Sequence, residues 1–241
     1  MSLIVATYYW QPDEGSKFAA PYTIEDVRRL KDSVKDHLHA PHEFCVITDR
    51  PAEFDKDADI RAIPIGWATH VPGTCFVRLM TFHPEGRELF GADRILQLDL
   101  DTLIVGNIDH LASRTENVVM WRNPGRVPWH APSRPGRPYY NTSMLMHELG
   151  TLPSIYERFD PAKPCAKDDQ WYLSDILGPT RPYFDGERDG VYRIAREDTP
   201  GSGVWGELPD NACICTFPGS EGKISNPRIL EANPWIAKYV P

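Results

Sequence analysis

Two aspartates, Asp99 and Asp101, are separated by one residue inside an otherwise apolar stretch, Arg94-Ile-Leu-Gln-Leu-Asp-Leu-Asp-Thr-Leu-Ile-Val. The length and aliphatic content of this stretch predict a buried strand that ends near the carboxylates. In an extended segment residues i and i+2 point to the same side, so both carboxylates could face one ligand. Two carboxylates beside a hydrophobic run need a positive partner, and Mg²⁺ or Mn²⁺ prefers carboxylate, water and phosphate oxygens. The stretch therefore predicts a metal site at a strand end.

The same motif also occurs by chance in acidic proteins, usually as a solvated turn after a strand. Its predicted position favours the functional interpretation, because open α/β sheets bind ligands beyond the carboxyl ends of their strands.

Composition limits the classes of partner. The chain has 241 residues, of which 41% are hydrophobic and 25% charged, as is typical of a globular domain with a substantial core. A formal net charge of −8 argues against a nucleic-acid partner and against charge-driven docking on anionic lipid. No apolar run approaches membrane-spanning length, and the N-terminus lacks a basic region followed by an apolar stretch. The five cysteines are scattered, and Cys213 and Cys215, on one face of an apparent strand, indicate small buried thiols more than a metal site. We expect a cytoplasmic protein without a transmembrane segment.

The elements that must position the aspartates follow from hydrophobic periodicity. A strand over residues 2–10, a helix from Tyr22 to Leu38 with Thr23 as N-cap, and strands at 43–48 and 60–65 predict the start of a parallel α/β sheet. Further elements are expected in the order short helix 75–82, strand 118–121, strand from 140, helices 152–159 and 167–177, and a strand from 212.

Two loops could contact anions. The segment 122–139 is rich in proline and arginine, which excludes regular structure. It is either a solvated loop or a lid whose arginines meet a phosphate or acceptor, and its length slightly favours the lid. Near the C-terminus a predicted strand runs into a glycine-containing loop with Lys223, and such a loop lets backbone amides approach an anionic group.

The motifs, taken in order, resemble glycosyltransferase family 8, the glycogenin and lipopolysaccharide galactosyltransferase family: Arg78, Asp99-Leu-Asp101, Asn141-Thr-Ser, Asp169-Gln170 and Phe217-Pro-Gly219…Lys223. The resemblance extends from Leu3 to about Lys223. It implies a GT-A fold, a Rossmann-like α/β architecture with a mixed, mostly parallel sheet flanked by helices, as a single domain over residues 1–241. It also implies retaining transfer of a sugar from a nucleotide sugar, usually a UDP-sugar, to a saccharide or other hydroxyl acceptor.

The resemblance also implies roles for individual residues. Asp99 and Asp101 would hold Mn²⁺ or Mg²⁺, which stabilises the departing diphosphate. Nucleotide binding would involve five residues, which are Thr7, Tyr8, Arg78, Gly219 and Lys223. The donor sugar would be positioned by catalytic residues at Asn141, Asp169 and Gln170.

One position departs from the family. The family usually has a histidine before the phenylalanine of the terminal loop, as a third metal ligand, and this chain has Thr216 there. A hydroxyl is a poor ligand for Mn²⁺. Thr216 could bind the metal weakly, a water could replace the imidazole, or metal binding could be impaired.

Two other functions stay open. The chain could be a nucleotide-sugar-binding protein that has lost turnover. It could also be a phosphatase of the haloacid dehalogenase type, which places two aspartates at a strand end. That family's threonine follows its second aspartate by two positions, whereas Thr102 follows Asp101 directly.

Overall fold

The computed structural model describes residues 1–10, 22–65, 75–123, 138–160, 168–195, 203–217, 224 and 226–240. The strands within these ranges are β1 Leu3–Tyr9, β2 Glu43–Thr48, β3 Arg61–Pro64, β4 Arg94–Leu98, β5 Leu103–Ile104, β6 Val118–Arg122, β7 Tyr140–Glu148, β8 Tyr183–Phe184, β9 Val191–Arg193 and β10 Ile214–Thr216. The α-helices are α1 Ile24–His37, α2 Gly86–Phe90, α3 Asp109–Ala112, α4 Ser154–Glu157, α5 Asp169–Leu177, α6 Gly186–Asp189 and α7 Pro227–Ala232. The 3₁₀ helices are Pro51–Phe54, Cys75–Phe82 and Pro234–Lys238.

The main sheet has seven strands in the order β3-β2-β1-β4-β7-β6-β8. The first four of these pair in parallel, β7 runs antiparallel to both β4 and β6, and β8 is parallel to β6. Both faces of β1 are buried, with Ile4 and Ala6 in one apolar layer and Val5 in the other. A strand buried on both faces has a continuous apolar sequence, as β1 does. The predicted mixed, mostly parallel sheet with flanking helices is confirmed.

Helix α1 covers one face of the sheet. It begins after Thr23, which forms a reciprocal capping box with Asp26. Its buried residues Val27, Leu30 and Val34 belong to the same apolar cluster as Val5 of β1. The predicted helix, its N-cap and its core-facing stripe are confirmed.

A second, three-stranded sheet has the order β5-β10-β9. In it β10 pairs antiparallel with β5, with Ile214 opposite Ile104 and Cys215 opposite Leu103. The chain therefore leaves the main sheet after β4 and enters the small sheet at β5. The acidic motif lies between the two sheets.

The predicted strand that ends near the carboxylates is confirmed, but the extended conformation expected for Asp99 and Asp101 themselves is wrong. β4 ends at Leu98, and the N–H of Thr102 donates to the carbonyl of Asp99 at 3.0 Å, which closes a turn. Because Asp99 and Asp101 lie in this turn, the alternation of an extended strand does not set their relative direction. The turn forms because β5 takes its hydrogen bonds from β10 instead of continuing beside the strands that flank β4.

Within the described ranges, no helix combines the length and the apolar composition that crossing a membrane would require. The four cysteines in these ranges, Cys45, Cys75, Cys213 and Cys215, are buried free thiols, as expected for Cys213 and Cys215.

Candidate functional site

The candidate site lies at the carboxyl end of β4, the strand next to β1 in the main sheet. Asp99 follows β4 directly, and its N–H donates to the carbonyl of Ser143 at 2.9 Å. This bond and the turn bond from Thr102 place the acidic turn just beyond the sheet edge. Open α/β sheets bind their ligands at such an edge.

An irregularity in β7 brings polar residues to the acidic turn. Along β6, Met120 pairs with Leu145 but the next residue, Trp121, pairs with Asn141, so three residues of β7 have no partner on β6. Bulges of this kind re-aim side chains and are frequent beside active sites. Asn141 Oδ1 accepts a hydrogen bond from the N–H of Ser143 at 2.7 Å, which holds the bulged segment in shape.

Arg78 joins three parts of the site. It lies on the 3₁₀ helix Cys75–Phe82, whose other residues are buried. Its guanidinium donates to a carboxylate oxygen of Asp99, to Asp169 at 3.1 Å and to the hydroxyl of Thr142 at 3.3 Å. Burial lowers the pKa of Arg78, but the two carboxylates outweigh it and the pKa lies above its ordinary value. Two acids therefore share one buried cation.

The acidic turn has more negative charge than Arg78 neutralises. Burial is the main cause that raises the pKa of Asp99, Arg78 opposes the shift, and the neighbouring Asp101 adds to it. Asp101 is 5% exposed and accepts a hydrogen bond from the hydroxyl of Tyr22 at 2.8 Å. Burial, followed by the charge of Asp101, raises the pKa of that hydroxyl, so Tyr22 acts as a donor here. The turn is suited to a further cation.

The N-terminus of α5 supplies Asp169, the second acid that Arg78 contacts. Asp168 caps the helix by accepting the N–H of Trp171 at 3.0 Å. Asp169 is the first helical residue and is 1% exposed, and its carboxylate contacts Arg78. Gln170 follows in the same turn and is half-buried. The structure thus brings together the predicted residues Arg78, Asp99 and Asp169.

Thr7 and Tyr8 lie near the carboxyl end of β1, beside β4. Both side chains are buried, and the hydroxyl of Thr7 has no hydrogen-bond partner among the described residues. The hydroxyl of Tyr8 donates to Gln97 and lies 3.3 Å from the carbonyl oxygen of Arg78. Tyr8 thus supports the backbone of Arg78 from within the core. Nucleotide contact by either residue stays a prediction.

Thr216 ends β10, one residue beyond the pairing of Cys215 with Leu103. It is 1% exposed, and in the described part of the chain its hydroxyl has no hydrogen-bond partner. Gly219, Lys223 and positions 124–137 of the proposed lid lie outside the described residues, so their roles stay predictions.

Sequence reasoning missed two residues that hold the acidic turn. Tyr22 was expected only to begin a helix, yet it contacts Asp101. Arg29 of α1 donates to the carbonyl oxygen of Leu100 and, at 3.2 Å, to that of Thr102. In the helix predicted from Tyr22 to Leu38 their spacing of seven residues would place both on one face and could have pointed to a shared partner, although the helix begins only at Ile24.

The donor set suits a hard divalent cation held jointly with a substrate. Asp99 and Asp101 offer two carboxylates on one turn. No group of three or more His, Cys, Asp or Glu side chains suited to a metal occurs within the described ranges. Mg²⁺ is commonly bound by one or two carboxylates together with water and substrate phosphates. The residues present fit that arrangement and do not form a closed protein cage.

No family model and no curated protein sequence matches the chain. Among solved structures it is similar to the galactosyltransferase LgtC in complex with donor and acceptor sugar analogues, with a TM-score of 0.53 and 13% identity over 99% of this chain and 96% of that one. It is also similar to the apo form of the glycosyltransferase GlyE of Streptococcus pneumoniae TIGR4, with a TM-score of 0.60 and 12% identity over 99% of this chain. The chain spans 60% of the GlyE chain. At such identities the likeness concerns the fold alone, and the chain has the GT-A fold of these glycosyltransferases.

Proposed function

We propose that the chain is a metal-dependent retaining glycosyltransferase of family 8, which transfers a sugar from a nucleotide sugar, a UDP-sugar, to a saccharide or other hydroxyl acceptor. One observation carries the proposal. The acidic turn Asp99–Asp101 lies at the carboxyl end of β4 in a GT-A fold and contacts Arg78 there, which also binds Asp169.

The acidic turn would hold the donor's charged end. A divalent cation at Asp99 and Asp101 would neutralise the diphosphate as it leaves. Tyr22 fixes the carboxylate of Asp101 through its hydroxyl, so that group is oriented before any ligand arrives. Preorganised charge of this kind is commonly the largest contribution to such catalysis.

Arg78 would contact the nucleotide sugar, and Asp169 would position its donor sugar. The guanidinium already donates to two carboxylates and one hydroxyl, and its planar fork is suited to phosphate or sugar oxygens. Asp169 is an acceptor-only group at the start of α5, suited to a sugar hydroxyl or to positive charge developing at the anomeric carbon. Asn141 and Gln170 offer amides that both donate and accept.

The remaining proposed contacts follow the family resemblance. Thr7 and Tyr8 would approach the nucleotide, and Gly219 and Lys223 would meet the departing phosphate charge. LgtC was solved with donor and acceptor sugar analogues, and the shared fold supports a donor and an acceptor for this chain as well. The net charge of −8 makes a nucleic-acid acceptor unfavourable.

The test is UDP release. The protein is incubated with Mn²⁺ and a panel of UDP-sugars, with simple saccharides as acceptors, and Asp99→Asn serves as the matched inactive variant. We expect release with at least one UDP-sugar, abolished by chelation and in the variant. Calorimetric binding of UDP-sugars without release would support the binding-protein alternative, and hydrolysis of phosphate esters would support the phosphatase. Neither binding nor release with any nucleotide sugar would contradict the proposal.

A further inference from the structure

Polar groups of Tyr22 and of α1, which begins two residues later, follow the chain through the acidic turn. The hydroxyl of Tyr22 meets Asp101, Arg29 reaches the carbonyls of Leu100 and Thr102, and Ser33 Oγ lies 3.4 Å from the carbonyl oxygen of Ile104. Further along, the N–H of Ile108 donates to the carbonyl of His37 at 3.0 Å. Positions 29, 33 and 37 follow one another at four-residue steps, so they share one face of α1, and Tyr22 precedes the N-cap Thr23.

Arg29 controls the backbone on both sides of Asp101. The peptide between Leu100 and Asp101 is held through its carbonyl by Nη2, and the peptide after Thr102 is held by Nη1 at 3.2 Å. The peptide between them is held by the Thr102 N–H, which donates to Asp99. Three successive peptide planes are therefore fixed. Because the planes flanking an α-carbon set its φ and ψ, they also set the direction of the Asp101 side chain.

A hydrogen-bonded turn without Arg29 would lack two of these contacts. The guanidinium is half-buried, and its Nε has no partner among the described residues. A desolvated cation in this position is costly unless its contacts compensate. Those contacts are two backbone carbonyls, and the nearby negative charges of Asp26 and then Asp101 also favour the cation.

We infer that Arg29 is a positioning residue that fixes the acidic turn and so presents the Asp101 carboxylate to a divalent cation. It acts through the turn's peptide planes and belongs to neither the metal ligands nor the donor contacts. The metal part of this inference rests on the proposed function. The two hydrogen bonds from Arg29 to the carbonyls of Leu100 and Thr102 are called the clamp below, and their effect on the turn can be measured without any ligand.

Amide hydrogen exchange tests the clamp. The comparison is wild type, Arg29→Met and, as matched control, Arg28→Met, because Arg28 lies next along α1 but pairs with Glu25 and Asp57. In Arg29→Met we expect the Thr102 amide to exchange about tenfold faster, since each lost bond to the charged group weakens the turn, while β4 amides keep their protection. Unchanged exchange at Thr102, or equal acceleration throughout β4 and α1, would overturn the clamp.

Binding of Mn²⁺, measured without a nucleotide sugar, tests whether the clamp affects the metal site. Residues that support metal ligands typically change metal affinity by about 10–100-fold, and we expect a loss in that range for Arg29→Met. Arg29→Lys keeps the charge but not the two-pronged donor, so it should lose most of the same affinity, and it serves if Arg29→Met does not fold. Arg28→Met should bind as wild type does. Equal or tighter Mn²⁺ binding by both Arg29 variants would overturn the positioning role.

The two measurements separate this inference from the proposed function. If wild type binds no Mn²⁺, the metal site of the proposed function and the metal-presenting role of Arg29 both fail. The exchange rate of Thr102 then still decides whether Arg29 holds the turn.

Discussion

Nη1 of Arg78 lies 3.1 Å from Oδ2 of Asp169, a carboxylate with 1% of its side chain exposed. The two residues are 91 positions apart in sequence, and their contact joins the 3₁₀ helix Cys75–Phe82 to the start of α5. The same guanidinium also holds Asp99, so the pair connects α5 with the acidic turn. Displacement of the 3₁₀ helix, of α5 or of the acidic turn would therefore disturb the contacts of the other two.

Arg78→Met should destabilise the fold. Removing one partner of a buried ion pair leaves an uncompensated charge and typically costs about 3–5 kcal/mol of unfolding free energy. Arg78→Met combined with Asp169→Asn should cost less than the sum of the single changes, because the double variant leaves one fewer buried charge unpaired. Urea unfolding gives the unfolding free energy of wild type, the two single variants and the double variant.

Arg87→Met provides the control for this cycle. Arg87 also pairs with a carboxylate, that of Glu148, but its side chain is 52% exposed. Exposed pairs contribute about 0–1 kcal/mol. If the losses of unfolding free energy in Arg78→Met and Asp169→Asn add up to the loss in the double variant, the two residues are not coupled.

Asp99→Asn and Asp101→Asn should each abolish transfer with the fold intact, because each removes a charge at almost constant volume. UDP release at saturating donor measures transfer, and circular dichroism checks the fold. Asp93→Asn is the matched control, since Asp93 precedes the opposite end of β4 and bonds Ser2. Full activity in either motif variant would remove that aspartate from the mechanism.

Tyr22→Phe should weaken metal binding and leave stability almost unchanged. The variant loses only the hydroxyl that orients Asp101, and losses of such supporting bonds cost about 10-fold or more in metal affinity. Titration with Mn²⁺ measures the effect. Tyr192→Phe is the control, because its hydroxyl also donates at 2.8 Å to a side-chain oxygen, that of Asn211, outside the acidic turn. Equal Mn²⁺ affinities in all three proteins would exclude an orienting role for Tyr22.

Thr216→His should tighten Mn²⁺ binding if Thr216 occupies a ligand position. A neutral imidazole is a better ligand than a hydroxyl, so activity should saturate at lower Mn²⁺ concentration, most clearly above the imidazole pKa. The buried position, 1% exposed, carries a risk of overpacking. An unchanged Mn²⁺ affinity together with a lowered melting temperature would show that the side chain serves packing only.

His147 predicts a pH dependence of stability. Burial is the main cause that lowers its pKa from 6.5 to about 3. The unfolded chain therefore takes up the proton first, and stability that is complete above pH 6.5 is lost as pH falls toward 3. Within that pH range the unfolding free energy falls by about 1.4 kcal/mol for each pH unit.

His147→Gln isolates this contribution. The glutamine cannot titrate and can still reach the hydroxyl of Thr81, which lies 3.1 Å from the ring nitrogen. Unfolding free energies at pH 7, 6 and 5 should fall more steeply in wild type than in the variant. Parallel pH profiles for the two proteins would show that His147 does not stay neutral in the fold.

The sequence by itself determined the elements whose signals are short-range. Short aliphatic runs place β1 and β2, and the N-cap Thr23 with a stripe of three- and four-residue steps places α1. It also showed that Asp99 follows an apolar strand, which is enough to expect a ligand at the sheet edge. The resemblance to glycosyltransferase family 8 implied that Arg78 and Asp169 belong to one site.

Only the tertiary structure decided how these residues are arranged. Whether 99–102 continues a strand or turns depends on β10, which hydrogen-bonds β5 from far along the chain. The same holds for the bulge of β7, the sharing of Arg78 between two acids, and the contacts of Tyr22 and Arg29 with the acidic turn. Hydrogen-bond partners distant in sequence leave no periodicity in the local residues, so packing of α1 and β10 against the turn sets the direction in which each carboxylate points.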